Sequence, residues 1–335
     1  MSQKVSFIGS KGRGLNPDME ILKNYISENS DLEIEGYFPN ENSKNDMISK
    51  GSKIGKENYC KSAVDLVCVD GSLPAKKKLV NPEGNKILVA TPYDFLIKAL
   101  NRGDSNKKTF QNFTHIMVNS PLEKRIMDEV YKTSDIEVIE GYTSPLAFDI
   151  YKQTNIEEKR KKLETYYPAA KGKKLLAILL SGKFEDDDEN PYADLDWKAL
   201  ADGVPDDWFI VVNSEELMET AVHLGPEYNE KIGYMKQMLD FRKILYLADA
   251  LVTNTFMFAT CMAAVRKPVF SIFNKGNGLE NYIKDNYPNL WISDLTTIGP
   301  RVVGAKDEEF EKFWDEFSYK PDKNPCAKVL EILAK

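Results

Sequence analysis

Histidine is nearly absent from this chain: only His115 and His223 occur among 335 residues. Chemistry that needs an imidazole base therefore has two candidates. His115 opens the apolar stretch Thr114-His115-Ile116-Met117-Val118 and reads as a structural residue. His223 falls at a helix-like end before Gly225-Pro226, where an imidazole faces the last carbonyls or returns toward a cleft. Cysteine is scarce as well. Cys60, Cys68, Cys261 and Cys326 are widely spaced with no CxxC pair, which argues against a metal cage or disulfide framework and for free, mostly buried thiols. Apolar runs long enough to span a bilayer are missing, and residues 1–10 read as strand into glycine turn rather than as a secretory leader, so a cytoplasmic chain is expected. Positive charge is not in excess either. Lys and Arg number 45 against 52 Asp and Glu, a net charge of -7, which makes general nucleic-acid binding a poor expectation and leaves room only for a local basic groove.

What is present is a repeated alternation of short apolar runs with amphipathic segments, the pattern of an α/β protein with parallel sheets. In the first half the runs are Lys4 to Ile8, Asp65 to Val69, Lys86 to Ala90, His115 to Val118 and Ile136 to Glu140. Helices are expected over Asp18 to Ser27, Tyr93 to Leu100, Pro121 to Tyr131 and Lys152 to Leu163. The punctuated stretch Tyr166-Tyr167-Pro168-Ala169-Ala170-Lys171-Gly172 sets the expected domain boundary, giving domains over 1–168 and 169–317. Lys174 to Leu180, Trp208 to Val212, Ala250 to Thr253 and Val269 to Phe273 supply the second sheet. Two helices, Asp307 to Phe317 and Pro325 to Leu333, close the chain, and the segment from about 318 to 335 is expected to pack back on the first domain.

Ligands of open α/β sheets bind beyond the carboxyl ends of strands, so the loops there hold the candidate site residues. Gly9-Ser10-Lys11-Gly12-Arg13-Gly14 follows the first strand. Its three glycines let backbone N–H groups approach an anion, and Lys11, Gly12 and Arg13 are the candidate contacts, although the spacing fits neither GxGxxG nor a P-loop. Thr253, Asn254 and Thr255 follow a strand and precede a small-residue helix from Phe256 to Val265, whose first N–H groups suit phosphate oxygens. Lys275-Gly276-Asn277-Gly278 follows the next strand and nominates Lys275 and Asn277. The acidic run Glu185-Asp186-Asp187-Asp188-Glu189 reads chiefly as a solvated loop, and no metal site is expected from it.

The order strand–GSKGRG–NP–helix, then ILVATPYDFLIKAL, FTHIMVNSP, IEVIEGYTSPLAFD, LLAILLSGKF and ILYLADALVTNTFMFATCMAAVRKPVFSIF, resembles the CDP-glycerol:glycerophosphate glycerophosphotransferase family of teichoic-acid and capsule synthesis. The resemblance implies a GT-B fold. Two Rossmann-like domains would face a cleft, with the acceptor on the N-terminal side, a nucleotide donor on the C-terminal side and a helical tail. It also implies transfer of a polyol phosphate, without a bound metal or other cofactor, from a CDP-polyol or other nucleotide-activated donor to a hydroxyl-bearing acceptor. An envelope-synthesis enzyme is the implied partner, and the inner face of the membrane the implied place of work.

The departures from the family's motifs bear on catalysis. In place of tryptophan-histidine-glycine-threonine-proline stands Leu88-Val89-Ala90-Thr91-Pro92, so valine occupies the position of the catalytic base while Thr91 is kept. Valine cannot accept a proton. The second histidine-proline becomes Asn213-Ser214, threonine-aspartate-tyrosine-serine-serine becomes Thr253-Asn254-Thr255-Phe256-Met257, and the first C-domain motif becomes Ser181-Gly182-Lys183-Phe184. The family's glycine-x-proline-arginine becomes Gly141-Tyr142-Thr143-Ser144. Three readings follow: a divergent transferase, in which Lys183 and Asn213 contact the donor and His223 or Asp186 takes the acceptor proton; a GT-B-like binding partner that no longer transfers; or an unrelated GT-B glycosyltransferase or epimerase.

Overall fold

The computed structural model describes residues 4–8, 17–37, 64–69, 85–90, 113–131, 136–153, 155–179, 196–213, 230–234, 241–253, 256–272, 278–303 and 308–334. The chain forms two compact units, one of Met1–Asp149 with Asp315–Lys335 and one of Ile150–Trp314.

The first unit is built on a six-stranded sheet of β1 (Lys4–Ile8), β2 (Glu33–Tyr37), β3 (Val64–Val69), β4 (Asn85–Ala90), β5 (His115–Met117) and β6 (Glu137–Ile139). The order is β2-β1-β3-β4-β5-β6 and every pairing is parallel. The chain leaves β1 toward one edge and returns on its other side to β3, so the topological switch point lies between these two strands. Val5 and Phe7 of β1 point to one face and are fully buried, as the two-residue period requires. Against them lies the helix Pro17–Asn29, which buries Met19, Leu22 and Ile26 at helical spacing. The terminal helix Pro325–Leu333 joins the same cluster through Cys326, Val329 and Leu333. Its N-terminus is capped by Asn324, whose side-chain oxygen accepts from Cys326 N at 2.9 Å, with Pro325 supplying a preset φ in the first turn.

The second unit carries a five-stranded parallel sheet of β7 (Lys174–Leu179), β8 (Trp208–Asn213), β9 (Ile232–Tyr234), β10 (Ala250–Thr253) and β11 (Val269–Ser271), ordered β11-β10-β7-β8-β9. From β7 the chain winds outward to β9, then crosses to β10 on the other side of β7. The switch point is therefore between β7 and β10, in the 3-2-1-4-5 order of a dinucleotide-binding fold without its sixth strand. Nearly continuous apolar strands follow from burial on both faces: Leu175 to Leu179, Phe209 to Val212 and Ala250 to Val252 are all buried. The helix Phe256–Ala264 covers one part of the sheet with small residues, among them Ala259, Cys261, Ala263 and Ala264. Phe270 of β11 meets Phe310 edge-to-face at 5.5 Å, which anchors the helix Glu308–Phe317. Gly299 and Gly203 touch so closely that a Cβ on Gly299 would lie 1.7 Å from the Gly203 carbonyl oxygen. Glycine is obligatory there.

Several expected elements differ in detail. The charged helix expected from Lys152 to Leu163 is two helices, Pro145–Lys152 and Ile156–Tyr166, separated where Gln153 and Asn155 take positive φ of 48° and 60°. The helix expected over Pro121 to Tyr131 is α-helical to Ile126 and a π-turn from Met127. The strand expected to reach Phe273 ends at Ser271. The expected helix Tyr93 to Leu100 lies outside the described residues.

Candidate functional site

The carboxyl ends of β7, β10 and β11 form the most complete ligand-type edge among the described residues. Register sets Asn213 beside Leu179, Leu179 beside Thr253 and Thr253 beside Ser271, and a parallel bridge adds Trp291 next to Ser271. Thr253 closes β10 at the switch point and is buried. Its backbone oxygen accepts from Ile272 N at 3.1 Å, and the residue makes a further interaction. The helix Phe256–Ala264 begins three residues later, and the positive end of its dipole favours an anion at that end.

Ser271 and Trp291 were not legible as site residues. Ser271 is 1% exposed, and its hydroxyl has no hydrogen-bond partner; the buried indole N–H of Trp291 has none either. A serine inside Val-Phe-Ser-Ile reads as strand and nothing more, and a tryptophan in a turn-rich segment carries no periodicity. Only the orphaned atoms give them away.

The carboxyl edge of the first unit is built differently. Ser120 caps the helix Pro121–Ile126 by accepting from Glu123 N at 3.1 Å, and Glu123 reaches back to accept from Asn119 N at 2.5 Å, a reciprocal capping arrangement. Burial pushes the Glu123 carboxyl up to about 8, despite the lowering hydrogen bonds from Asn119. Asp18, just behind the glycine-rich loop, accepts from Ser144 Oγ at 2.7 Å and from Leu146 N at 2.8 Å, so it seals the start of the helix Pro145–Lys152. Burial raises its pKa, and those two hydrogen bonds oppose the rise. Ser144 in turn accepts from Ala147 N at 3.1 Å. Thr143 and Ser144 stand where the resemblance places a glycine-x-proline-arginine motif, and Ser144 is committed to capping.

His115 sits at the amino end of β5, away from the ligand edge, with Nε2 3.4 Å from Glu137 and Nδ1 2.8 Å from the Thr114 hydroxyl. It is a structural histidine. Val89 lies within β4, paired with Cys68 and Met117. Cys261 and Cys326 are buried free thiols, and burial pushes the Cys326 thiol up to about 12. Lys11, Gly12, Arg13, Thr91, Lys183, Asp186, His223, Asn254, Thr255, Lys275 and Asn277 lie outside the described residues, as does the acidic run from Glu185 to Glu189. Asn213 and Thr253 are the candidates that the described structure places, both at carboxyl ends of neighbouring parts of one sheet. Among the described residues no cluster of His, Cys, Asp and Glu is arranged to hold a metal ion, and no helix is long and apolar enough to cross a membrane.

No curated protein matches the sequence significantly. Among solved structures the chain is similar to the wall teichoic acid polymerase TagF, at TM-score 0.66 and 14% identity, over 98% of this chain and 88% of that one. It is also similar to the Methanocaldococcus jannaschii UDP-GlcNAc 2-epimerase solved with UDP-GlcNAc and UDP, at TM-score 0.59 and 11% identity, over 99% of both chains. A third similarity is to S. aureus MnaA solved with UDP, at TM-score 0.55 and 10% identity, over 99% of this chain and 96% of that one. At such identities these likenesses show the fold, a GT-B-like pairing of two Rossmann-like lobes with C-terminal helices. The sequence itself matches the family described as CDP-Glycerol:Poly(glycerophosphate) glycerophosphotransferase over residues 86–258, just over half of its length. With the switch-point edge and the motif order already in place, the chain belongs to that glycerophosphotransferase family.

Proposed function

We propose that this protein binds a nucleotide-activated polyol phosphate or sugar at the carboxyl edge of β7, β10 and β11, and acts as a divergent transferase of cell-envelope polymer synthesis. The observation that carries the reading is Thr253 at the switch point, three residues before the start of the helix Phe256–Ala264. Phosphates there meet the positive end of a helix dipole, an attraction that survives the loss of the family's hydroxyls and aspartate. Lys183, Asn213, Asn254, Thr255, Lys275 and Asn277 would complete the donor side, and Lys11, Gly12, Arg13 and Thr91 the acceptor side. Support for a nucleotide-linked donor comes from the family match and from the likeness to TagF, a variant of which was solved after a CDPG soak.

Transfer of glycerol phosphate from CDP-glycerol forms a bond from the acceptor oxygen to the distal phosphorus and breaks the bridging P–O bond, releasing CMP. The acceptor proton must go to a base. With valine at the family's base position, Asp186 and His223 are the groups proposed to receive it, by carboxylate and imidazole respectively. Weak CDP-glycerol transferase activity is the expected result. The second reading, a nucleotide- or glycan-phosphate-binding partner of an active envelope enzyme, is favoured by the same valine together with Asn254 in place of aspartate. Both readings set the protein in the cytoplasm, where nucleotide donors are made, with peripheral contact at the inner membrane face.

Calorimetric titration with CDP-glycerol, CDP, UDP and UDP-GlcNAc, paired with product analysis on a glycerol-phosphate acceptor, tests both. Binding with slow turnover that falls in Asp186→Ala or His223→Ala supports the transferase. Binding without turnover selects the partner protein, and the absence of binding to any of the four removes both.

A further inference from the structure

The orphaned polar atoms at β11 point to a subsite. In a parallel sheet, residues side by side in register carry their side chains on the same face, so Thr253, Ser271 and Trp291 form one row at the carboxyl edge. Phe270, one residue back on β11, faces the other way into the aromatic packing with Phe310. Backbone groups around the row are already paired: Ser271 N donates to Leu290 O at 2.7 Å, Ile292 N to Ser271 O at 3.0 Å and Ile272 N to Thr253 O at 3.1 Å. Those groups leave nothing over for the Ser271 hydroxyl and the Trp291 indole N–H, both buried and partnerless. Trp291 is held in place from two sides, with Lys284 Nζ 4.6 Å from its ring centroid and Arg301 Nη1 donating to its carbonyl at 2.7 Å.

Two adjacent buried polar groups without partners are costly, and folded proteins seldom keep them without a use. The row's own side chains carry no formal charge, and the two flanking cations are turned to the Trp291 ring face and carbonyl. Serine donates and accepts, and indole only donates, a set that matches hydroxyl groups better than a phosphate, whose burial calls for cations. We infer that Ser271 and Trp291 form the subsite for the hydroxyl-bearing part, polyol or sugar, of the activated donor whose phosphates lie by Thr253. This rests on the donor site proposed above and adds to it the residues that recognise the transferred group.

The test compares ligands that differ only in that group. Wild type, Ser271→Ala and Trp291→Phe are titrated with CDP-glycerol against CDP and with UDP-GlcNAc against UDP, and their thermal unfolding is followed without ligand. In each variant the diphosphate that carries the preferred polyol or sugar weakens about fivefold, the loss of one hydrogen bond, while the bare nucleotide changes by less than about twofold. The pair that shows the effect identifies polyol or sugar. The ligand-free unfolding midpoint stays level or rises, because each variant removes an unsatisfied group from the interior. Equal loss for the bare and the substituted nucleotide overturns the subsite and leaves the donor site standing. A midpoint lowered by several degrees in both variants overturns it too, since the groups would then be structural. Wild-type protein that binds none of the four ligands removes the donor site and the subsite together.

Discussion

The carboxyl edges of the two sheets, both built from parallel strands and polar turns, handle their polar side chains in opposite ways. On the first, Asp18, Ser120, Asn119, Glu123 and Ser144 spend most of their hydrogen bonds on one another and on helix starts, and only the second oxygen of Glu123, among these groups, is buried without a partner. On the second, the Ser271 hydroxyl and the Trp291 indole N–H are buried without a hydrogen-bond partner. Polarity at a strand end is thus no sign of a ligand site by itself. What separates a cap from a contact is whether the group is already satisfied.

The sharpest way to stress this contrast is through pH. Glu123 is neutral in the folded protein up to about 8, whereas its unperturbed value is 4.5. Between those values the unfolded chain binds fewer protons than the folded one, so stability falls as pH rises through that window. The fall attributable to Glu123 is on the order of 4 kcal/mol, and Glu123→Gln should flatten it in urea titrations run from pH 4.5 to 8.5. An unchanged slope in the variant would mean the carboxyl is already ionised when folded.

Asp18→Ala comes next. It strands the Ser144 hydroxyl and the Leu146 N–H in a buried site, and a loss of about 3 kcal/mol in denaturant unfolding is expected. A loss below about 1 kcal/mol would show that the cap is dispensable and would blur the distinction between the two edges. Thr253→Val has its main effect on binding. Affinity for the nucleotide diphosphate should drop about tenfold, equivalent to about 1.4 kcal/mol. If the variant binds normally but unfolds earlier, Thr253 belongs with the caps. The smallest effect is the gain of at most about 1 kcal/mol in ligand-free stability for Ser271→Ala, read from the same denaturation curves.

The central strands were legible because burial on both faces demands continuous apolar runs, as in Leu175 to Leu179 and Ala250 to Val252. The two strands without a sequence signal, β2 and β9, each lie at one edge of their sheet. With a neighbour on one side only, β2 tolerates the charged Glu33, and β9 is three residues long, so neither carries a clear apolar signal. The break between Lys152 and Ile156 was hidden for another reason: it depends on left-handed backbone at Gln153 and Asn155, and only asparagine hints at that conformation. At the site, Thr253 could be placed because strand, turn and small-residue helix follow in order. Ser271 and Trp291 could not, since their significance lies in an absence of partners that arises only when the chain is folded.

The first unit draws on both ends of the numbering, because Val5, Phe7, Met19, Leu22 and Ile26 share their cluster with Cys326, Val329 and Leu333. During synthesis the N-terminal sheet therefore leaves the ribosome with part of its apolar face uncovered, and it waits through the translation of the whole second unit for the helix that closes it. The unit encoded in the middle of the chain, Ile150–Trp314, is complete before residues 325–333 are made and can mature first. A nascent chain stalled near residue 315 should accordingly be the form most dependent on chaperones, and release of residues 325–333 the event that ends that dependence.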